Sequence, residues 1–120
     1  MTAQHIDQAL NFPRWNGELT TVWPQRPTPT PLHPARLFLG RVLATPGALK
    51  VLAHASTAAI LRRHMLGDWG DLDPEDWDMN DRALVNDDRI LSAYTVNGTA
   101  LWVITEADRS ATTILLPEEY

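Results

Sequence analysis

From Arg89 to the final tyrosine the chain reads RILSAYTVNGTALWVITEADRSATTILLPEEY, and its apolar positions alternate over short runs broken at Asn97-Gly98 and again at ADRS. Alternation with a period of two, bounded by turn residues, predicts strands, and an Asn-Gly pair predicts a two-residue type I′ hairpin. With Asn97 and Gly98 in the turn, Val96 faces Thr99, Tyr94 faces Leu101, Leu91 faces Ile104, and Arg89 meets Glu106 as an opposed charge pair. The same parity carried across ADRS sets Ile90, Tyr94, Leu101, Val103, Ile114 and Leu116 on one face, and Leu91, Ala93, Trp102, Ile104 and Leu115 on the other. Both faces are apolar. A sheet in contact with water on one side would show a polar face, so this one is predicted to be covered twice, by helices on one side and by the N-terminal arm or a second subunit on the other.

Upstream, LFLGRVLAT is a short apolar run interrupted by Gly40 and predicts one earlier strand. Thr45 then stands at a helix N-cap position with Pro46 at the first helical position. Leu49, Leu52, Ser56, Ala59, Ile60 and Arg63 recur at helical spacing, which predicts one helix ending near Arg62, Arg63 and His64, with Gly67 placed to stop it. After the loop GDWGDLDP, Asp73 caps a second predicted helix that starts at Pro74, carries Trp77, Met79, Leu84 and Val85, and ends near Asn86. Six of the nine prolines precede residue 36, and WPQRPTPTPLHP is too proline-rich for a helix or an inner strand. Residues 1–36 are therefore read as an extended arm that Trp15 and Trp23 pin to the domain or to a second subunit, and residues 37–120 as one domain. The predicted class is α+β: a C-terminal three-stranded antiparallel meander plus one earlier strand, packed with two helices.

A chain of 120 residues suits one core, and five tryptophans supply large apolar surfaces for it. The absence of cysteine excludes disulfides, zinc-thiolate sites and thiol nucleophiles. No basic start followed by an apolar run opens the sequence, and no stretch approaches the roughly 18 apolar residues of a membrane span, so a cytoplasmic protein without membrane contact is expected. The net charge of −5 is unevenly spread. Residues 68–88 hold nine acidic side chains against Arg82 alone, a local charge of −8, whereas residues 1–66 carry +5. Such a segment repels phosphate backbones and argues against direct nucleic-acid binding. It is suited to a basic protein partner, including one that ordinarily binds nucleic acid and would take the acidic face as an imitation of it. A plain solvated helix is the simpler alternative.

LGRVLATPGAL, RHMLGDWGDL, RILSAY and WVITEADRSATTILLPEEY, in this order over about residues 38–120, resemble a family of small bacterial proteins of plasmids and other mobile elements. Its members carry the labels "plasmid-related protein" or "type I restriction endonuclease subunit M". The resemblance implies an accessory role on a mobile element, in a setting of restriction or defence. A DNA methyltransferase is excluded, because the chain holds neither the Gly-rich cofactor turn nor a catalytic motif such as Asn-Pro-Pro-Tyr.

Chemistry is concentrated at one corner. His64 at a predicted helix end, with Asp68 and Asp71 four and seven residues on and Asp73 beyond, offers nitrogen and oxygen ligands for a divalent metal in a loop loosened by Gly67 and Gly70. The competing reading makes Asp68 and Asp71 turn caps, Trp69 a core plug, and His64 the partner of one of these aspartates. A ribonuclease-like arrangement would enlist His64, Glu106 and Arg109 for acid-base work and phosphate stabilisation. Binding without a cofactor is the favoured activity, to a protein partner such as a nucleic-acid-handling or defence enzyme, or to a second copy. The expected contact residues are Asp76, Asp78, Asp81, Asp87, Asp88 and Trp69. A small metal-dependent hydrolase or ribonuclease-like toxin is the alternative.

Overall fold

The computed structural model describes residues 19–22 and 37–120. Asn97 and Gly98 both take positive φ angles, 50° and 80°, as the primed turn requires, and they join β3 (Ile90–Val96) to β4 (Thr99–Thr105). The pairing follows the expected register, with Val96 opposite Thr99 and Leu91 opposite Ile104. Just beyond the strands, Arg89 reaches Glu106 at 3.0 Å. β5 (Ala111–Leu115) pairs antiparallel with β4 and completes the meander.

The sheet does not stop there, and it is not wholly antiparallel. β2 (Arg41–Ala44) runs parallel to β5, and β1 (Thr20–Thr21) pairs antiparallel with β2, giving the order β1-β2-β5-β4-β3. The sheet is therefore mixed, a correction to the reading of a meander with a separate strand. A parallel neighbour needs a long crossover, and the helical segment between β2 and β3 supplies the length to bring β2 alongside β5. β1 belongs to the stretch read as an arm, and Val22 continues its pairing through an N–H bond to the Val42 carbonyl at 3.0 Å. Trp15 and Trp23 lie outside the described residues.

The long helix predicted after Thr45 is two helices, α1 (Pro46–Leu52) and α2 (Thr57–Met65). Ser56 causes the break: its hydroxyl accepts from the Ala59 N–H at 3.1 Å and so starts α2 afresh, while Asn97 in the hairpin turn donates to the His54 carbonyl between the helices. α3 (Pro74–Asn86) begins and ends where expected, with Asp73 accepting from the Asp76 N–H at 2.8 Å. No helix among the described residues is long and apolar enough to cross a membrane.

One sheet face buries Val42, Ile90, Tyr94, Leu101, Val103 and Ile114 against Ala48, Leu52, Ile60 and Leu61 of α1 and α2, Trp69 of the following loop and Ala83 of α3. On the other, Leu91, Trp102, Ile104 and Leu115 form a second buried cluster, against which Leu72, Ala93 and Tyr120 pack. The parity read from the sequence thus divides the side chains correctly between the faces. Whether the remainder of the arm contributes to this second face lies outside the described residues.

β3 is an outer strand, and its free edge is closed by what precedes it. Ala93 donates to the Trp69 carbonyl at 3.0 Å and accepts from the Asp71 N–H at 2.6 Å, while Asn80 on α3 meets both main-chain groups of Leu91. These contacts block the edge pairing that would otherwise invite aggregation. Only glycine fits at position 70, where φ is +79° and a Cβ would sit 2.0 Å from the Ala93 carbonyl oxygen. Gly40 is similarly restricted, because at φ +65° a Cβ would meet the Ser110 carbonyl oxygen at 2.4 Å.

The C-terminal 3₁₀ turn, Pro117–Glu119, secures the start of α1. The Glu119 carboxylate accepts from the Thr45 hydroxyl, the Gly47 N–H at 3.1 Å and the Leu116 N–H at 2.9 Å. A negative group at a helix N-terminus is favoured by the macrodipole, and charge-assisted bonds strengthen it. Replacing Glu119 with alanine is expected to cost about 1–3 kcal/mol by leaving these donors unmatched. Gly70→Ala is expected to cost more than about 2 kcal/mol through backbone strain. Urea denaturation of the two variants against the parent measures both, and a loss below half a kcal/mol in either would refute its structural role.

Candidate functional site

His64 lies on the inner side of α2 and is completely buried. Its Nδ1 is 2.6 Å from the Ser92 hydroxyl of β3 and its Nε2 is 2.8 Å from the Thr105 hydroxyl of β4. The chain of contacts continues from Thr105 to Thr112 of β5 at 2.7 Å, and from Thr112 to the Leu39 carbonyl at 2.8 Å. The direction of every proton follows. A carbonyl only accepts, so Thr112 spends its single proton on Leu39 and must accept from Thr105; Thr105 then has no proton for His64 and must accept from Nε2. His64 is thus the Nε2–H tautomer, and Ser92 donates to Nδ1. Burial holds the imidazole neutral and lowers its pKa to about 3, with the positive charge of Arg109 adding to the effect.

A hydroxyl 2.6 Å from an imidazole is the pairing that activates a nucleophile. Here Ser92 is as buried as His64, and the Trp69 ring packs edge-on against the imidazole at 5.8 Å between centroids. The pair is therefore part of a satisfied polar core, with no substrate-facing surface on either side chain.

The residues expected to gather as a metal corner are engaged separately. Asp68 takes Arg63 at 2.7 Å and the Gly70 N–H at 3.2 Å, and the Arg63 hydrogen bond holds its carboxyl below the usual range. Asp71 accepts from Thr95 at 2.8 Å, and Asp73 caps α3. His64 pairs with none of them, contrary to the alternative in which an aspartate was its partner. Among the described residues no group of three histidine, aspartate or glutamate side chains is arranged to hold a metal ion. The ribonuclease-like set is likewise divided. Glu106 pairs with Arg89, and Arg109 donates to the carbonyls of Ala83, Asp88 and Glu106 at 3.0, 2.7 and 3.1 Å. Arg109 therefore ties the end of α3 to the β4–β5 turn.

Of the expected contact residues, Asp76 and Trp69 are both fully buried, a correction to their placement on a binding surface. Asp76 falls on the inward side of α3, in line with Asn80 and Ala83, as the helical period of about 3.6 dictates. Trp69 fills the core, and its indole N–H donates to half-buried Asp81 at 3.0 Å. Asp78, Asp87 and Asp88 are exposed, Asp78 forming a surface pair with Arg82 at 2.8 Å. Exposed Asp71, Asp73 and Glu75 extend the acidic surface, so that carboxylates face solvent at the start of α3 and again just past its end. Sequence reasoning missed Ser92 and Thr112, and it offered Thr105 for a surface site, whereas Thr105 is fully buried. Their signal was polar residues at otherwise apolar strand positions.

No protein-family model, curated protein or solved structure matches the chain.

The His64 linkage has a definite sign. An unfolded histidine takes up a proton near pH 6.5, whereas the folded one does not until about pH 3. Stability should therefore fall as pH drops through this window, by up to about 1.4 kcal/mol per pH unit. Denaturation at pH 7, 6, 5 and 4.5 should show this slope, and His64→Gln should flatten it. Imidazole NMR signals of the parent give an independent check: the His64 resonances should not titrate between pH 8 and 5, and a midpoint near 6.5 would remove the buried neutral ring from the account.

Proposed function

We propose that this chain is an accessory protein of a bacterial mobile element that works by binding a basic protein partner through the acidic surface of α3. The single observation that carries this reading is the division of the acidic segment: Asp76 turns inward, while Asp71, Asp73, Glu75, Asp78, Asp87 and Asp88 are exposed. A surface with an excess of carboxylates over basic side chains speeds encounter with a positively charged partner and disfavours phosphate backbones. The resemblance to plasmid proteins supplies the biological setting, with a restriction, defence or other nucleic-acid-handling enzyme as the class of partner. Such an enzyme carries the basic surface that the acidic segment complements. No cofactor is required for this activity. The hydrolase alternative gains no support, since His64, Asp68, Asp71, Glu106 and Arg109 all have structural partners of their own.

Affinity capture from the bacterial host followed by binding kinetics with the purified partner tests the proposal. Raising salt to about 0.5 M shortens the Debye length to a few ångströms and should slow association at least about ten-fold. Asp78→Lys combined with Asp88→Lys should weaken binding to a similar degree, yet leave the melting temperature nearly unchanged, as both side chains are exposed. Association that is indifferent to both salt and charge reversal would rule out the acidic surface as the contact.

A further inference from the structure

At the N-terminal half of α3 the acidic surface is not flat. Leu72, Pro74 and Trp77 line an open groove of about 390 Å³, and Asp78 and Asp81 stand on it as the charged members of the lining. Trp77 is half-buried and packs against the main core, so its ring is held in place. Asp81 is held by the Trp69 indole. Among the described residues Asp78 pairs with Arg82 one helical turn on, an exposed contact of the type that contributes little and exchanges readily.

We infer that this groove anchors an arginine side chain presented on an extended segment of the partner protein. This rests on the acidic-surface reading above and adds its point of attachment. An indole flanked by carboxylates is complementary to a side chain that is planar, weakly hydrated and cationic, because the guanidinium stacks on the ring while its N–H groups reach the acids. The aliphatic stem covers Leu72 and Pro74. A purely apolar side chain would strip water from Asp78 and Asp81 without replacing their hydrogen bonds, which disfavours it. Lysine supplies the charge but neither the flat stacking surface nor the fork of donors. The groove is shallow and open to solvent, and its volume lies at the lower end of the size range of ligand sites.

The test uses the full chain, ¹⁵N-labelled, with the Trp77 indole resonance assigned through Trp77→Phe. Blocked peptides GSPRPSG, GSPKPSG, GSPQPSG and GSPLPSG are titrated in turn. The arginine peptide should shift the Trp77 indole saturably, and the glutamine and leucine peptides should bind at least about ten-fold more weakly, the difference of one charged, stacked contact. Asp78→Asn with Asp81→Asn keeps the acceptor for Trp69 while removing both charges, and should lose about the same factor. Equal binding of the leucine and arginine peptides would overturn the inference in favour of an apolar docking groove, and no saturable shift of Trp77 would overturn it outright. If the groove variants leave partner capture intact while Asp88→Lys still weakens it, the acidic surface stands and the anchor falls. If neither matters, both fall.

Discussion

The fold turns on keeping one imidazole neutral and fully bonded inside the core. His64 has no water to fall back on, so each of its nitrogens must find a partner, and the partners come from two different strands, Ser92 of β3 and Thr105 of β4. Thr112 of β5 and the Leu39 carbonyl ahead of β2 extend the chain of bonds, so α2, three strands and the entry to a fourth are joined by one run of protons with a single direction. Losing any member leaves a buried donor or acceptor unmatched, which costs more than the bond itself contributes. The linkage therefore specifies the register between helix and sheet, where apolar packing alone would tolerate small slips.

The same economy governs the residues around it. Trp69 packs on His64, Gly70 admits the Ala93 carbonyl, and Asp68 and Asp71 close the turn and the strand edge. Asp68, Trp69, Gly70 and Asp71 of the GDWGD motif thus have structural explanations, as do Gly40 and Thr45 in LGRVLATPGAL. A helix that buries Asp76, Asn80 and Ala83 toward the sheet leaves Glu75 and Asp78 in water by geometry, with Asp81 half-buried at the Trp69 indole.

The groove at Trp77 follows from the same placement. Asn80 grips the main chain of Leu91 and thereby fixes the rotation of α3 about its axis. That rotation leaves Trp77 half-buried against the core and lining the same groove as Asp78 and Asp81.

The sequence by itself determined the C-terminal meander, its register and the division of its side chains between two faces, because a period of two and an Asn-Gly turn are local signals that leave little choice. It also determined both caps, Thr45 and Asp73, and the limits of α3. Tertiary structure decided the rest. That β2 would run parallel to β5 depends on a long crossover no local pattern encodes, and the helical spacing across residues 49–63 masked the break at which Ser56 caps α2 and Asn97 reaches the His54 carbonyl. The candidate site followed the same division. Asp78, Asp87 and Asp88 were legible as acidic and exposed, but whether Asp76 pointed in or out turned on the rotation of one helix. The role of His64 turned on hydroxyls 28 and 41 residues away, a distance over which sequence carries residue types but not contacts.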